Sequence, residues 1–130
     1  MGRYMKDTVQ RLKGKVGKFV KERDWGQFHT PKNLSMSIAI EAAELMEHFQ
    51  WTNTVDEAIK VLKEKHKRSE IEDEVADIAI YLISFCNLYN IDLERVVLGK
   101  MKKNAKKYPA KAVKGKMEKY TFYKNKKSSV

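Results

Sequence analysis

Apolar residues recur every three or four positions along most of this chain, the period of helices with one buried face. Val9, Leu12, Val16, Phe19 and Val20 predict a first helix over residues 5–23, weakened by Gly14 and Gly17. The pattern breaks at Trp25-Gly26. A loop follows over 26–33, in which Thr30 ahead of Pro31, or Asn33, is placed to cap the next helix. Leu34, Ile38, Ala42, Leu45, Met46 and Phe49 predict a second helix over 34–49, with Trp51 just past its end. Thr54-Val55-Asp56-Glu57 has the form of a capping box. It predicts a short third helix over 55–65, with Ala58, Val61 and Leu62 inward. A charged link over 63–68 leads to a second capping signal, Ser69-Glu70-Ile71-Glu72. The fourth helix then runs to about Tyr89 on a core stripe of Ile71, Val75, Ile78, Leu82 and Phe85. After a turn at Asn90-Ile91-Asp92, a fifth helix over 93–107 carries Val96, Val97 and Met101 and ends before Pro109. No strand-like alternation of useful length and no repeat is present. The predicted fold class is all-α: an oligomeric bundle of four or five helices, centred on the second and fourth, its most apolar members.

Composition bounds this picture. The chain has 130 residues, enough for one core. The formal charge is +10, but residues 100–130 hold 12 lysines and one acid, Glu118, while residues 1–99 hold 15 basic and 16 acidic residues. The expected division is a helical domain over 1–110 and a lysine-rich tail over 111–130. The tail shows no period, and Tyr120, Phe122 and Tyr123 are its candidate docking groups. A basic tail can serve as a nucleic-acid arm, which would make the chain a helical nucleic-acid-binding or adaptor protein. This one contains no arginine, the usual residue for bidentate phosphate recognition, and reads instead as a solubilising segment, with nucleic acid not an expected partner. The single cysteine, Cys86, lies in an apolar run and is expected to be a small buried hydrophobe. Residues 1–23 lack the apolar core of a signal peptide. The longest apolar stretch, Val75 to Cys86, is too short to span a membrane and contains Asp77. A cytoplasmic location is expected.

Four carboxylates carry the chemistry. Glu41 and Glu44 lie three apart in the second helix, and Glu74 and Asp77 three apart in the fourth. Residues three apart share a helix face. No Lys or Arg occurs between Lys32 and Lys60, and Asp77 is the only charged residue from Val75 to Phe85. One Glu-x-x-Glu is an ordinary solvated face. Two acid pairs on packed helices without basic neighbours call for a cation, because an unpaired buried carboxylate costs several kcal/mol. Burial of Asp77 is expected to make this cost greatest. A di-iron bundle needs Glu-x-x-His on two helices; His48 has Leu45 three residues before it, and neither His29 nor His66 supplies the pattern. An all-oxygen set favours a hard ion, Mg²⁺ or Mn²⁺, and a polyphosphate substrate is the usual reason to hold one.

Other residues are open to two readings. Trp25 and Trp51 either sandwich a nucleobase or anchor a core or an interface. His29 either bonds a nucleotide or is structural. Tyr81, four residues after Asp77, shares its face and reaches toward sugar or phosphate. Lys100, Asn104 and Tyr108 form one stripe of the fifth helix, either a phosphate-binding edge or a solvated one.

At these residues the chain resembles the all-α NTP pyrophosphohydrolases of MazG type, and within them the dCTP pyrophosphatase-like branch. The resemblance rests on Glu41-Ala42-Ala43-Glu44 and Glu74-Val75-Ala76-Asp77. It extends through Arg23-Asp24-Trp25-Gly26-Gln27-Phe28-His29, Pro31-Lys32-Asn33-Leu34, Phe49-Gln50-Trp51, Asp77-Ile78-Ala79-Ile80-Tyr81-Leu82, Lys100-Met101 and Asn104 to Pro109. It covers about residues 20–110. Two features depart from it: the 29-residue spacer between Glu44 and Glu74, whose extra length is expected in the charged link 63–68, and the lysine-rich tail. The resemblance implies hydrolysis of a nucleoside triphosphate, dCTP-like or a modified pyrimidine, to the monophosphate and pyrophosphate. It implies Mg²⁺ on Glu41, Glu44, Glu74 and Asp77, and attack of water on the α-phosphorus with Glu41 or Glu44 as base. It further implies Trp25, His29, Trp51, Tyr81, Lys100 and Asn104 around the substrate. The assembly implied is a homodimer or a dimer-of-dimers tetramer.

Overall fold

A computed structural model describes the backbone of residues 2–117, 121 and 124, and side chains from residue 8 onward. Among the described residues every regular element is helical: α1 (Gly2–Glu22), α2 (Pro31–Glu47), α3 (Val55–Lys63), α4 (Lys65–Leu88), α5 (Leu93–Lys107) and α6 (Ala110–Val113). A single 3₁₀ turn, Trp25–Gln27, joins α1 to α2. The all-α class is thus as predicted. The candidate docking residues Tyr120, Phe122 and Tyr123 lie outside the described residues.

The helix starts follow from their caps. Thr30 caps α2 by accepting the Asn33 N–H at 3.1 Å, and Pro31 takes the first helical position, where a missing N–H does no harm. Thr54 caps α3 by accepting the Glu57 N–H at 3.2 Å, and the Glu57 carboxylate reaches back to the Asn53 N–H at 2.7 Å. Asp92 caps α5 through the Arg95 N–H at 3.1 Å. The chain leaves α4 through Asn90, whose left-handed φ of 56° asparagine tolerates, with the Ile91 N–H closing on the Cys86 carbonyl at 2.9 Å.

The charged link predicted over 63–68 is helix instead. Glu64 alone separates α3 from α4 and caps α4 by accepting the His66 N–H at 3.1 Å and the Lys67 N–H at 2.6 Å. These bonds hold its carboxyl below the usual carboxylate range. Ser69 therefore lies inside α4 and caps nothing. Long-chain helix formers and the i, i+4 pair of Arg68 with Glu72 at 2.7 Å carry the helix through this stretch.

The chain forms two compact units, residues 1–91 and 92–130. In the first, α4 is the spine: α2 packs on it most extensively, with α1 and α3 also laid against it. Asn87 ties α1 to α4 by donating to the Lys13 carbonyl at 2.9 Å. The apolar core of the described residues is small: Val16, Val20, Leu34, Ile71, Ile83 and Cys86, with Leu34 only 1% exposed. Cys86 is buried, as expected from its apolar run. The α4 stripe is shifted from the predicted one. Ile71 is buried, but Val75 and Leu82 are exposed, Ile78 and Phe85 are half-buried, and Ile83, Ser84 and Cys86 take the interior. A helix flanked by three others buries parts of several faces, so a single period-3.6 stripe misplaces its core. In the second unit, α5 is exposed along most of its length.

Candidate active site

Glu41 and Glu44 from α2 and Glu74 from α4 are half-buried, and each places a carboxylate oxygen within 4.8 Å of the others. The i, i+3 spacing within α2 and the packing of α2 on α4 bring them together. Among the described residues, neither these three nor Asp77 belongs to an ion pair. One oxygen of Glu41 is buried without any hydrogen-bond donor. Loss of water, then the adjoining carboxyls of Glu74 and Glu44, push the Glu41 carboxyl up to about 7. Glu74 is also raised, chiefly by desolvation and by Glu44 and Asp77.

This arrangement moves the predicted charge anomaly. Asp77 is half-buried rather than buried and does not join the other three at that spacing; the oxygen left without a partner belongs to Glu41. The cluster fits a hard cation on its own chemistry. Its donors are all oxygen, one is orphaned, and the carboxylates repel one another in the absence of positive charge.

Asp77 instead borders a cavity of about 410 Å³ beside the cluster, walled by α1, the 3₁₀ turn and α4. Trp25, Phe28 and His29 enter it from the turn, and Tyr81 and Ser84 from α4. The turn is set by Asp24, left-handed at φ 52°, with the Gln27 amide donating to its carbonyl and its carboxylate, both at 3.1 Å. Trp25 stands edge-on to Phe19 at 5.7 Å between centroids, and His29 edge-on to Tyr81 at 6.5 Å. The Arg23 guanidinium covers Phe19 at 3.6 Å. The Tyr89 hydroxyl donates to the His29 carbonyl at 2.7 Å, fixing the backbone that presents the imidazole. His29 Nδ1 is buried and has no partner.

Trp25, His29, Asp77 and Tyr81 therefore meet at one cavity. Trp51 does not line it: it sits in the turn after α2 and is 84% exposed. Lys100 and Asn104 are exposed residues of α5, four apart, in the second unit. Sequence reasoning passed over Phe28 and Ser84. The signal for Ser84 was a serine in the apolar run Leu82 to Cys86, seven residues after Asp77 and so on its face.

Known proteins place this geometry in a family. Residues 36–122 match the MazG-like family. The chain is 34% identical to rat dCTP pyrophosphatase 1 over 114 residues, covering 88% of this chain and 66% of that protein. The human dCTP pyrophosphatase 1 is 33% identical over the same length, with the same shares. The chain thus spans about two thirds of the length of these curated relatives. A solved pyrophosphatase from Archaeoglobus fulgidus superposes with a TM-score of 0.74 at 43% identity, covering 78% of this chain and 93% of that one. With both acid pairs inside or beside the site and the matched residues covering most of the helical bundle, this chain belongs to the MazG-like family.

Proposed function

We propose that this protein is a metal-dependent nucleotide pyrophosphohydrolase that converts a nucleoside triphosphate and water to the monophosphate and pyrophosphate. The observation that carries this reading is the cluster of Glu41, Glu44 and Glu74, with its orphaned buried oxygen, beside an aromatic cavity. The names of the relatives support a dCTP-like substrate, and a modified pyrimidine is the variant proposed beside it.

Glu41, Glu44, Glu74 and Asp77 are the residues that would hold Mg²⁺. When bound, the ion neutralises charge on the phosphates and on the departing pyrophosphate. The chain's own residues do the rest. Trp25 offers an aromatic face to the base, and stacking of this kind is worth about 1–3 kcal/mol. His29 and Tyr81 offer polar groups to the nucleoside. Asp77, at the end of the cavity nearest the carboxylates, marks where base pocket gives way to phosphate site. Glu41 or Glu44 takes the proton of the attacking water as its oxygen bonds the α-phosphorus and the bond to the bridging oxygen breaks. Lys100 and Asn104 are assigned to substrate binding on the family resemblance.

We further propose a homodimer or dimer-of-dimers. Met36 and Ile40 on α2, Val75 on α4 and Trp51 are each more than half exposed, an apolar load that a second copy would cover. Among the described residues no helix is long and apolar enough to cross a membrane, and a cytoplasmic location remains our proposal.

The test is a pyrophosphate-release screen over canonical and modified dNTPs and NTPs with Mg²⁺, run beside the Asp77→Asn variant. Release from at least one nucleotide, lost in the folded variant, is expected. No release from any nucleotide overturns the reading.

A further inference from the structure

Three buried side-chain atoms of the described residues lack a hydrogen-bond partner: Glu41 Oε2, His29 Nδ1 and Ser84 Oγ. The first belongs to the carboxylate cluster. The residues that carry the other two, His29 and Ser84, both line the aromatic cavity, and Ser84 also borders a second cavity beside Gly17, Asn87 and Leu88. Ser84 is the least expected of them. Its side chain is 2% exposed and sits in an apolar stretch of α4, yet its hydroxyl does not turn back onto the helix's own carbonyls, as buried serines commonly do. Asn87, three residues on, donates to the Lys13 carbonyl at 2.9 Å and not to this hydroxyl. A buried hydroxyl without a partner loses free energy unless something else supplies one.

Its position indicates what that partner is. Asp77, Tyr81 and Ser84 follow one another at i, i+4 and i+7 on the same face of α4. Seven residues of helix span about 10 Å, comparable to the length of a nucleoside. Asp77 adjoins the carboxylates, so Ser84, two turns farther along α4, lines the part of the cavity away from them, which we take as its floor. In a nucleotide held with its phosphates at the carboxylates, the atoms that reach the floor are those farthest from the sugar. On a pyrimidine ring this is the substituent at position 4, across the ring from the glycosidic nitrogen.

We propose that Ser84 is a base-reading residue of this site, its hydroxyl pairing with the polar 4-substituent of a pyrimidine nucleotide. The proposal rests on the nucleotide-hydrolase reading above. A hydroxyl rotates to donate or to accept, so Ser84 serves a 4-amino and a 4-oxo group alike. It confers affinity for a polar edge and leaves the choice between amino and oxo to other groups.

The experiment measures pyrophosphate release with Mg²⁺ by the wild type and by Ser84→Ala. The substrates are dCTP, dUTP and the deoxynucleotide of 2-pyrimidinone, which has hydrogen at position 4. In the wild type, KM for the 2-pyrimidinone nucleotide should exceed that for dCTP by roughly 3–10-fold, the worth of one neutral hydrogen bond. This arm needs no variant to fold. Ser84→Ala should raise KM for dCTP and dUTP by a similar factor, leave kcat within about twofold, and leave the 2-pyrimidinone nucleotide unaffected. Its Tm should not fall, because the hydroxyl has no protein partner to lose. An unchanged KM for dCTP, or equal KM rises for all three nucleotides, overturns the proposal. A wild type that releases pyrophosphate from no nucleotide overturns the underlying reading instead, and the two failures are told apart by the wild-type assay alone.

Discussion

Replacing Glu41 by glutamine should make the metal-free protein more stable while removing its activity. The carboxyl is pushed from 4.5 to about 7 by burial and by Glu74 and Glu44. A carboxyl raised in this way is protonated more readily in the folded state. Its contribution to stability is therefore complete below pH 4.5 and lost as the pH rises through about 7. Glutamine keeps the shape of the protonated acid and never ionises. Fully expressed at pH 8, the displacement corresponds to about 3 kcal/mol. Solvent reaching this half-buried group screens it, so the expected gain is roughly 1–2 kcal/mol, or a Tm rise of about 3–10 °C. Thermal melts followed by circular dichroism in EDTA, at pH 8 and pH 5, read this directly. The variant should melt higher at pH 8 and close to the wild type at pH 5. In Mg²⁺ the wild type should recover most of the difference and the variant should not. Pyrophosphate release by the variant should fall by at least about a hundredfold. A variant no more stable than wild type at pH 8, or one whose gain is as large at pH 5, would refute the claim that unneutralised charge strains this cluster.

Further outcomes follow from other parts of the structure. Leu34→Ala, at the most buried apolar position, should lower stability by about 2–5 kcal/mol in urea unfolding. Removing divalent ions with EDTA should abolish turnover, and Mg²⁺ should restore it in full without refolding. Trp25→Ala should raise KM for the nucleotide about tenfold or more with a smaller change in kcat. Thr54→Ala should lower stability by about 1 kcal/mol without changing KM, since the cap it removes is remote in role from the cavity.

Much of this was legible along the chain because it depends on local physics. The predicted span of the fifth helix matches α5, and the caps at Thr30 and Thr54 are polar side chains acting on N–H groups within three residues. Glu41 and Glu44 were readable as a pair because both lie within one turn of one helix. What failed depended on several helices at once. Ser69 carries a local capping signal, but Glu64 begins the helix earlier and the chain between them continues it. The unpartnered buried oxygen expected at Asp77 belongs to Glu41 because the depth of each carboxylate oxygen is set by the neighbouring helices. Ser84 was missed for a related reason: nothing in a sequence distinguishes a hydroxyl bonded to its own helix from one buried without a partner.

The junction at Glu64 bears on how this family can vary in length. Because one residue ends α3 and begins α4, the charged stretch between the acid pairs is stored as helix, and its length is counted in rotations. Each residue added to or removed from α4 between Glu64 and Ile71 turns α3 about the α4 axis by about 100°. A change of one or two residues would swing the inward side chains of α3 away from α4. A change of seven nearly restores their heading, to within about 20°. Viable spacers should therefore cluster at lengths separated by whole turns, while Glu74, packed farther down the same helix, keeps its place opposite Glu41 throughout.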